Sequence, residues 1–381
     1  MLIEIPQKLT PVSAVKFSRY LFSLEEVDEY SYDFKNMQHC HPFGLLVVAN
    51  AIRYNIKKYS NSTHIPLNTQ STQGGQFAPS FGFYSSIGFD IGENKEETDI
   101  GDGYIPIKSI SKAELNSKYL DATTLNDKIV RHAGQLTQLL MPYTSREVQG
   151  ALQYCFREII RNTFEHANVD NIWVCGQYWP SREEAEIALL DEGIGIYESL
   201  KSNPYINVSS CKEANGLALQ PGLSRTLGFK QKEYDIWQNS GYGLYVASTL
   251  CAMCGGYFLV NSGDSCMLIN KNKTTNYDTK IFGTAIGLNI KTDSKQLRNF
   301  GRTLSIIVEE GERKAKENGE QRILSASKVT TIASMIRHIE TTVEERKTYQ
   351  IREAKNGIIP LNSIVNFSPI SVNSRGEISG T

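Results

Sequence analysis

The stretch FREIIRNTFEHA, residues 156–167, decides the reading of the chain. Phe156, Ile160, Phe164 and Ala167 recur at helical spacing and give one apolar face. Glu158, Asn162 and His166 recur at the same spacing and give a polar stripe beside it. A carboxylate and an amide one turn apart on a core helix call for a ligand or a buried partner. The surrounding sequence must say which.

Upstream, YTSREV supplies a helix start. Thr144 and Glu147 fit a capping box, with Tyr143 and Val148 as its hydrophobic staple. Leu125–Met141 reads as a preceding helix stopped by Pro142. Downstream, NIWVCGQYW and EAEIALLD read as a hairpin joined by PSREE. A long irregular stretch, about 197–240, comes next. GYGLYVASTLCAMCGG then reads as an apolar helix opened and closed by glycines. Three strands follow: YFLVNS, SCMLIN and KIFGTAIGLNI. This order predicts an α/β fold, a mixed sheet with helices on one face.

Three regions result. Residues 1–124 form an N-terminal α/β module, in which HPFGLLVVANAIRYNIKKY is a helix begun by Pro42 and FGFYSSIGF a strand. Residues 125–291 hold the hairpin and glycine-bounded helix. Residues 292–381 form a helical extension with a polar tail. Val329, Ile332, Ile336, Ile339 and Val343 form a short seam there, suited to packing on the body or to a dimer or partner helix.

Composition narrows the function. Forty basic residues stand against 41 acidic ones, and no long basic run occurs, so no strong nucleic-acid surface is indicated. No apolar run is long enough to span a membrane, and no leader pattern opens the chain, which predicts a soluble, cytoplasmic protein. Seven scattered cysteines fit a reducing compartment. Cys251 and Cys254 read as buried thiols, and the His39-Cys40-His41 run finds no second pair of ligands.

Four separated motifs share one chemistry if the ligand is a nucleotide. Asn162 offers an amide oxygen to Mg2+, an ion that takes few protein ligands. Glu158, one turn earlier, would orient or deprotonate a water aimed at the terminal phosphate. Asp191, at the end of a strand, is an acceptor for the exocyclic amino group of adenine. Gly193 and Gly195 allow a tight turn against a flat ring. Gly241 and Gly243 open a helix whose N–H groups suit phosphates. Gly283-Thr284 enters the last strand.

On these residues the chain from about 140 to 290 resembles the GHKL or Bergerat-fold ATPases, the superfamily of DNA gyrase, MutL and the sensor histidine kinases. FREIIRNTFEHA resembles their N box, LLDEGIGI the G1 box, GYGLYVASTLCAMCGGYFLVNSG the G2 box and FGTAIGLNI the closing strand. The resemblance implies a two-layer α/β sandwich, ATP and Mg2+ as ligands, and a flexible lid. Carried over by position, Asn162 holds the metal and Asp191 the adenine. Gly241, Tyr242, Gly243 and Leu244 hold the phosphates, Thr284 closes the site, and Glu158 is the general base. Glu165 falls where gyrase-like members are acidic and sensor kinases carry lysine. The lid is about 197–240, with Ser224, Arg225 and Lys230 facing the phosphates. His132 lacks the neighbours of a phosphoacceptor histidine. Stand-alone bacterial proteins of the superfamily are similar, some of them serine kinases of the anti-sigma or switch kind acting on STAS-like partners. The first hundred residues also faintly resemble a STAS-like module. The expectation is an ATP-driven switch with slow hydrolysis, working on a protein partner or a dimer. Its alternatives are a protein kinase and a nucleotide sensor without turnover.

Overall fold

The structure is a computed structural model. It describes residues 1–70, 82–91, 103–118, 120, 124–142, 144–204, 206–223 and 242–322, and two short strands at 371–372 and 378–379. Residues Met1–Val329 form one compact unit and Thr330–Thr381 a second. Of the second, the described part is a two-stranded antiparallel pair, Ser371–Val372 with Ile378–Ser379.

In the first unit the chain begins with β1 (Leu2–Glu4), β2 (Lys8–Leu9), α1 (Pro11–Phe22), β3 (Glu29–Asp33), β4 (His39–Cys40), α2 (Pro42–Lys58) and β5 (Thr63–Leu67). Strands β1, β3 and β5 form a three-stranded parallel sheet. Helix α3 (Phe83–Ile87) replaces the strand expected at FGFYSSIGF. Gly82 and Gly88 bracket it with positive φ angles of 66° and 98°. Phe83, Tyr84, Ser86 and Ile87 are all buried, a pattern an alternating strand cannot give.

There follow β6 (Tyr104–Ser111), α4 (Lys112–Lys118), α5 (Leu125–Leu140), α6 (Arg146–His166), β7 (Asn171–Trp179), β8 (Glu184–Asp191), α7 (Gly195–Lys201) and α8 (Cys211–Ala218). Then come α9 (Gly243–Met253), β9 (Tyr257–Ser262), β10 (Ser265–Asn270), β11 (Thr274–Asp278), β12 (Thr284–Lys291), α10 (Lys295–Arg298) and α11 (Phe300–Arg322). The helices expected from Pro42, over 125–141, in the 144–167 stretch and after Gly241 are present, as is the hairpin. Four strands, not three, follow α9. The stretch read as irregular contains α7 and α8. The α6 cap is Ser145, whose hydroxyl accepts from the Val148 N–H. The Thr144 hydroxyl donates instead to the Met141 carbonyl, at 3.1 Å. A capping box does occur at α5, between Thr124 and Asp127.

The main sheet has seven strands in the order β11-β10-β9-β12-β8-β7-β6. Every pairing in it is antiparallel, so it is not the expected mixed sheet. Its edge strand β6 comes from within the region assigned to the N-terminal module, so the break expected at 124 does not separate two bodies. The sheet is also covered on both faces. In β8, Ala188 and Leu190 join the core built by α1 and α2. Leu189 and Asp191 face the other way, into the cleft under α6 and α9. Two-sided burial explains why seven of the eight β8 residues are buried. Glu186 in the middle of this strand is fully buried because it has work on the α2 side. It accepts from the Phe43 N–H at 3.2 Å, from the Tyr257 hydroxyl at 2.9 Å and pairs with His41 Nδ1 at 2.7 Å. One carboxylate thus satisfies a free N–H of the α2 first turn and complements its dipole. Among the described residues no helix is long and apolar enough to cross a membrane.

Candidate functional site

A cleft lies between the sheet and helices α6, α7 and α9. Its walls are mostly apolar: Ile159, Leu189, Ile196, Leu200 and Ile286 among them. The polar groups that reach it are few. They include Asn162 and Thr163 from α6, Asp191 from the end of β8, and Thr284 from the start of β12.

Asp191 is fixed by the turn it begins. Its Oδ1 accepts from the Gly193 N–H at 2.9 Å, and the Thr284 N–H also supports the carboxylate. Gly193 has to be glycine. A Cβ there would sit 2.1 Å from the Ala167 carbonyl oxygen, at the end of α6. Gly195 starts α7 with φ +76°, the left-handed region. Ser262 of β9 ties the two sides together. Its hydroxyl accepts from the Ile196 N–H at 2.9 Å and donates to the Gly283 carbonyl at 3.1 Å. The Thr284 hydroxyl lies 3.1 Å away. Asp191 stands opposite Thr284 in the β8–β12 register. Burial pushes the Asp191 carboxyl up to about 7, against the two N–H groups that pull it down.

Glu158 is placed differently. It is almost fully buried inside α6 and is not among the residues lining the cleft. The Arg157 Nε donates to its Oε1 at 3.0 Å, and the Arg161 Nη2 to its Oε2 at 2.8 Å. Burial alone would raise its pKa. The charges of Arg161 and Arg157 outweigh that and hold the carboxyl below its ordinary range. The same carboxylate packs on the start of α9, where a Cβ on Gly243 would meet Glu158 Oε2 at 2.6 Å. The reading of Glu158 as a base exposed to a water in the cleft is corrected in this respect: in this conformation both oxygens are engaged by guanidinium groups.

Of the other residues singled out from the sequence, Asn162, Asp191, Gly195, Gly243, Leu244 and Thr284 line one cleft. Gly193 stands behind it, shaping the Asp191 turn. Tyr242 caps α9 and is buried, its ring against the Gly311 backbone of α11 and its hydroxyl beside Gly222. Glu165 lies on α6, with its side chain outside the described set. Gly241, Ser224, Arg225, Lys230 and the 329–343 seam also lie outside the described residues. Sequence reasoning missed Ser262, which ends an ordinary apolar strand and carries no local signal. It also missed Ile196 and Leu200, whose spacing of four after the DxGxG turn was legible as one face of α7.

The donor set decides what the cleft can hold. Its apolar walls suit a flat ring, and Asp191 suits a donor on that ring's edge. Among the described residues no cluster of three or more His, Cys, Asp or Glu side chains is arranged to cage a metal. A site offering one amide fits an ion that keeps its waters and borrows phosphate oxygens. No described lining residue is cationic. Within the described residues, the positive end of α9 is therefore the feature of the cleft suited to phosphate. No family model and no curated protein matches this chain.

Proposed function

We propose that the cleft binds ATP with Mg2+ and that the chain is a nucleotide-driven switch of the GHKL type, acting on a protein partner or a second copy of itself. The observation that carries this reading is the fixed, buried carboxylate of Asp191 in the wall of an apolar slot, opposite Thr284 and sharing the cleft with Asn162 and the start of α9. A carboxylate accepts from the amino group of adenine. Guanine presents an acceptor at that edge and is disfavoured. Asn162 would hold the ion, which when bound would neutralise phosphate charge. The N–H groups at the Gly243–Leu244 start of α9 would receive the phosphates.

Hydrolysis through Glu158 belongs to the same proposal but needs a change of partners. In the Arg157–Glu158–Arg161 arrangement the carboxylate is ionised, as a base must be, yet it is shielded from water. Turnover is accordingly slow unless α6 or α9 shifts. This clamp favours, as a second reading, a sensor that binds without turnover; transfer to a partner residue is the third. Incubation with Mg2+ and γ-labelled ATP, counting free phosphate and protein-bound label, separates them. The switch reading requires phosphate release that falls in Glu158→Gln and ATP binding that weakens in Asn162→Ala. Neither release nor label, with binding intact, leaves the sensor. Absence of ATP binding refutes all three.

A further inference from the structure

The turn that carries Asp191 is held from behind by the N-terminal helix α2, which packs on β7, β8 and β12 from the face opposite the cleft. Asn50 is 1% exposed. Its Nδ2 donates to Glu192 Oε1 and to the Phe282 carbonyl, each at 3.2 Å, and its Oδ1 accepts from the Phe282 N–H at 3.4 Å. One turn on, the Arg53 Nε donates to the same Glu192 oxygen at 2.8 Å, and its Nη1 to the Ser86 carbonyl at 3.0 Å. The Arg53 guanidinium also lies 4.3 Å from the centre of the Trp173 ring on β7. Glu192 directly follows Asp191. Phe282 directly precedes Gly283-Thr284. Two side chains of α2 therefore grip both segments between which Asp191 and Thr284 are paired.

We infer that Asn50 and Arg53 are positioning residues for the base-reading end of the cleft, and that they set its preference for adenine over guanine. The inference rests on the nucleotide reading above. A carboxylate selects a base only while its direction is fixed, and the N–H groups that fix Asp191 belong to Gly193 and Thr284, in the two gripped segments. Loosening Glu192 and Phe282 lets that carboxylate turn. The phosphate end is built by α6 and α9 on the opposite face of the sheet and does not share the grip. By reciprocity, whatever rearranges α2 alters adenine binding, and adenine binding stiffens α2.

The test is titration of the full chain with ATP, GTP and inorganic tripolyphosphate, each with Mg2+. The variants are Asn50→Ala, Arg53→Met and Glu192→Gln. The last is the safeguard, because the Glu192 side chain is 37% exposed and its loss leaves the core intact. The preference for ATP over GTP is expected to fall about tenfold in each variant, as coupling of this size allows, while tripolyphosphate affinity stays at the wild-type value. Arg53→Lys, which keeps the charge, is expected to recover part of the preference. A wild-type preference that survives unchanged in Glu192→Gln and Arg53→Met overturns the inference. So does a loss shared equally by tripolyphosphate, which would mean general loosening. A wild-type chain that binds no ATP overturns the nucleotide reading and this inference together, and the wild-type titration alone reveals it.

Discussion

Asp191 and Glu158 are both buried carboxylates, and their surroundings drive them in opposite directions. Asp191 stands at a strand end with two N–H groups and no cation, so burial wins and its pKa rises to about 7. Glu158 sits inside a helix between two guanidinium groups, so charge wins over burial and its pKa falls. One carboxylate is open to the cleft and poised to change protonation; the other is ionised and closed off. Burial thus does not decide what a carboxylate can do. The neighbours that replace water decide it.

The largest effect that can break this contrast is removal of one guanidinium. Arg161→Ala leaves a buried carboxylate half compensated and is expected to cost about 3–5 kcal/mol of stability in denaturant unfolding. A cost below about 1 kcal/mol would mean that Glu158 reaches water, which no buried pair would allow. Next is Asp191→Asn, which keeps the size and removes the charged acceptor. ATP affinity is expected to fall about a hundredfold, the scale of one charge-assisted hydrogen bond, with stability near the wild-type value.

The contrast also has a pH signature. Asp191 keeps its proton in the folded chain at pH values where the unfolded chain has released it. Its stabilising contribution is full below the ordinary aspartate range and is lost as pH rises towards about 7. Glu158 acts with the opposite sign: its lowered pKa contributes stability above the ordinary glutamate range, lost as pH falls. Because adenine needs the ionised acceptor, ATP affinity is expected to rise with pH through about 7 and to be flat in Asp191→Asn. Calorimetry in buffers of different ionisation enthalpy would register the released proton. The smallest effect concerns His41. Its own burial would lower its pKa, but the hydrogen bond and charge of Glu186 prevail and raise it. The pairing therefore stabilises below the ordinary histidine range and is lost as pH rises through the raised value. His41→Gln is expected to remove that slope from thermal unfolding curves, shifting the midpoint by a few degrees at most.

Much of this was legible in the sequence. Helices α5, α6 and α9 and the β7–β8 hairpin follow from periodicity, Pro142 and glycine punctuation, because those signals are local. The DxGxG turn and Asn162 were legible for the same reason. Strand direction was not, since it depends on which distant strands pair, and neither was the second covered face. That face had a trace in EAEIALLD, too continuously buried for a strand wet on one side, but Glu186 disguised it as an alternating pattern. The Glu158 clamp was missed although Arg157 and Arg161 are its neighbours in sequence. Adjacent helix positions such as 157 and 158 ordinarily diverge, and only the hydrogen bonds in the folded chain show that both guanidinium groups turn onto the carboxylate. The hold of Asn50 and Arg53 on Glu192 joins positions about 140 apart in the chain, beyond the reach of any local pattern.

The account turns on Asp191 reading an adenine. The most direct measurement is calorimetric titration of the full chain with ATP and with GTP in the presence of Mg2+, repeated on Asp191→Asn. Saturable ATP binding that exceeds GTP binding, and that weakens about a hundredfold in the variant, is the predicted result. No ATP binding, or ATP binding that survives Asp191→Asn with GTP bound equally well, would contradict it.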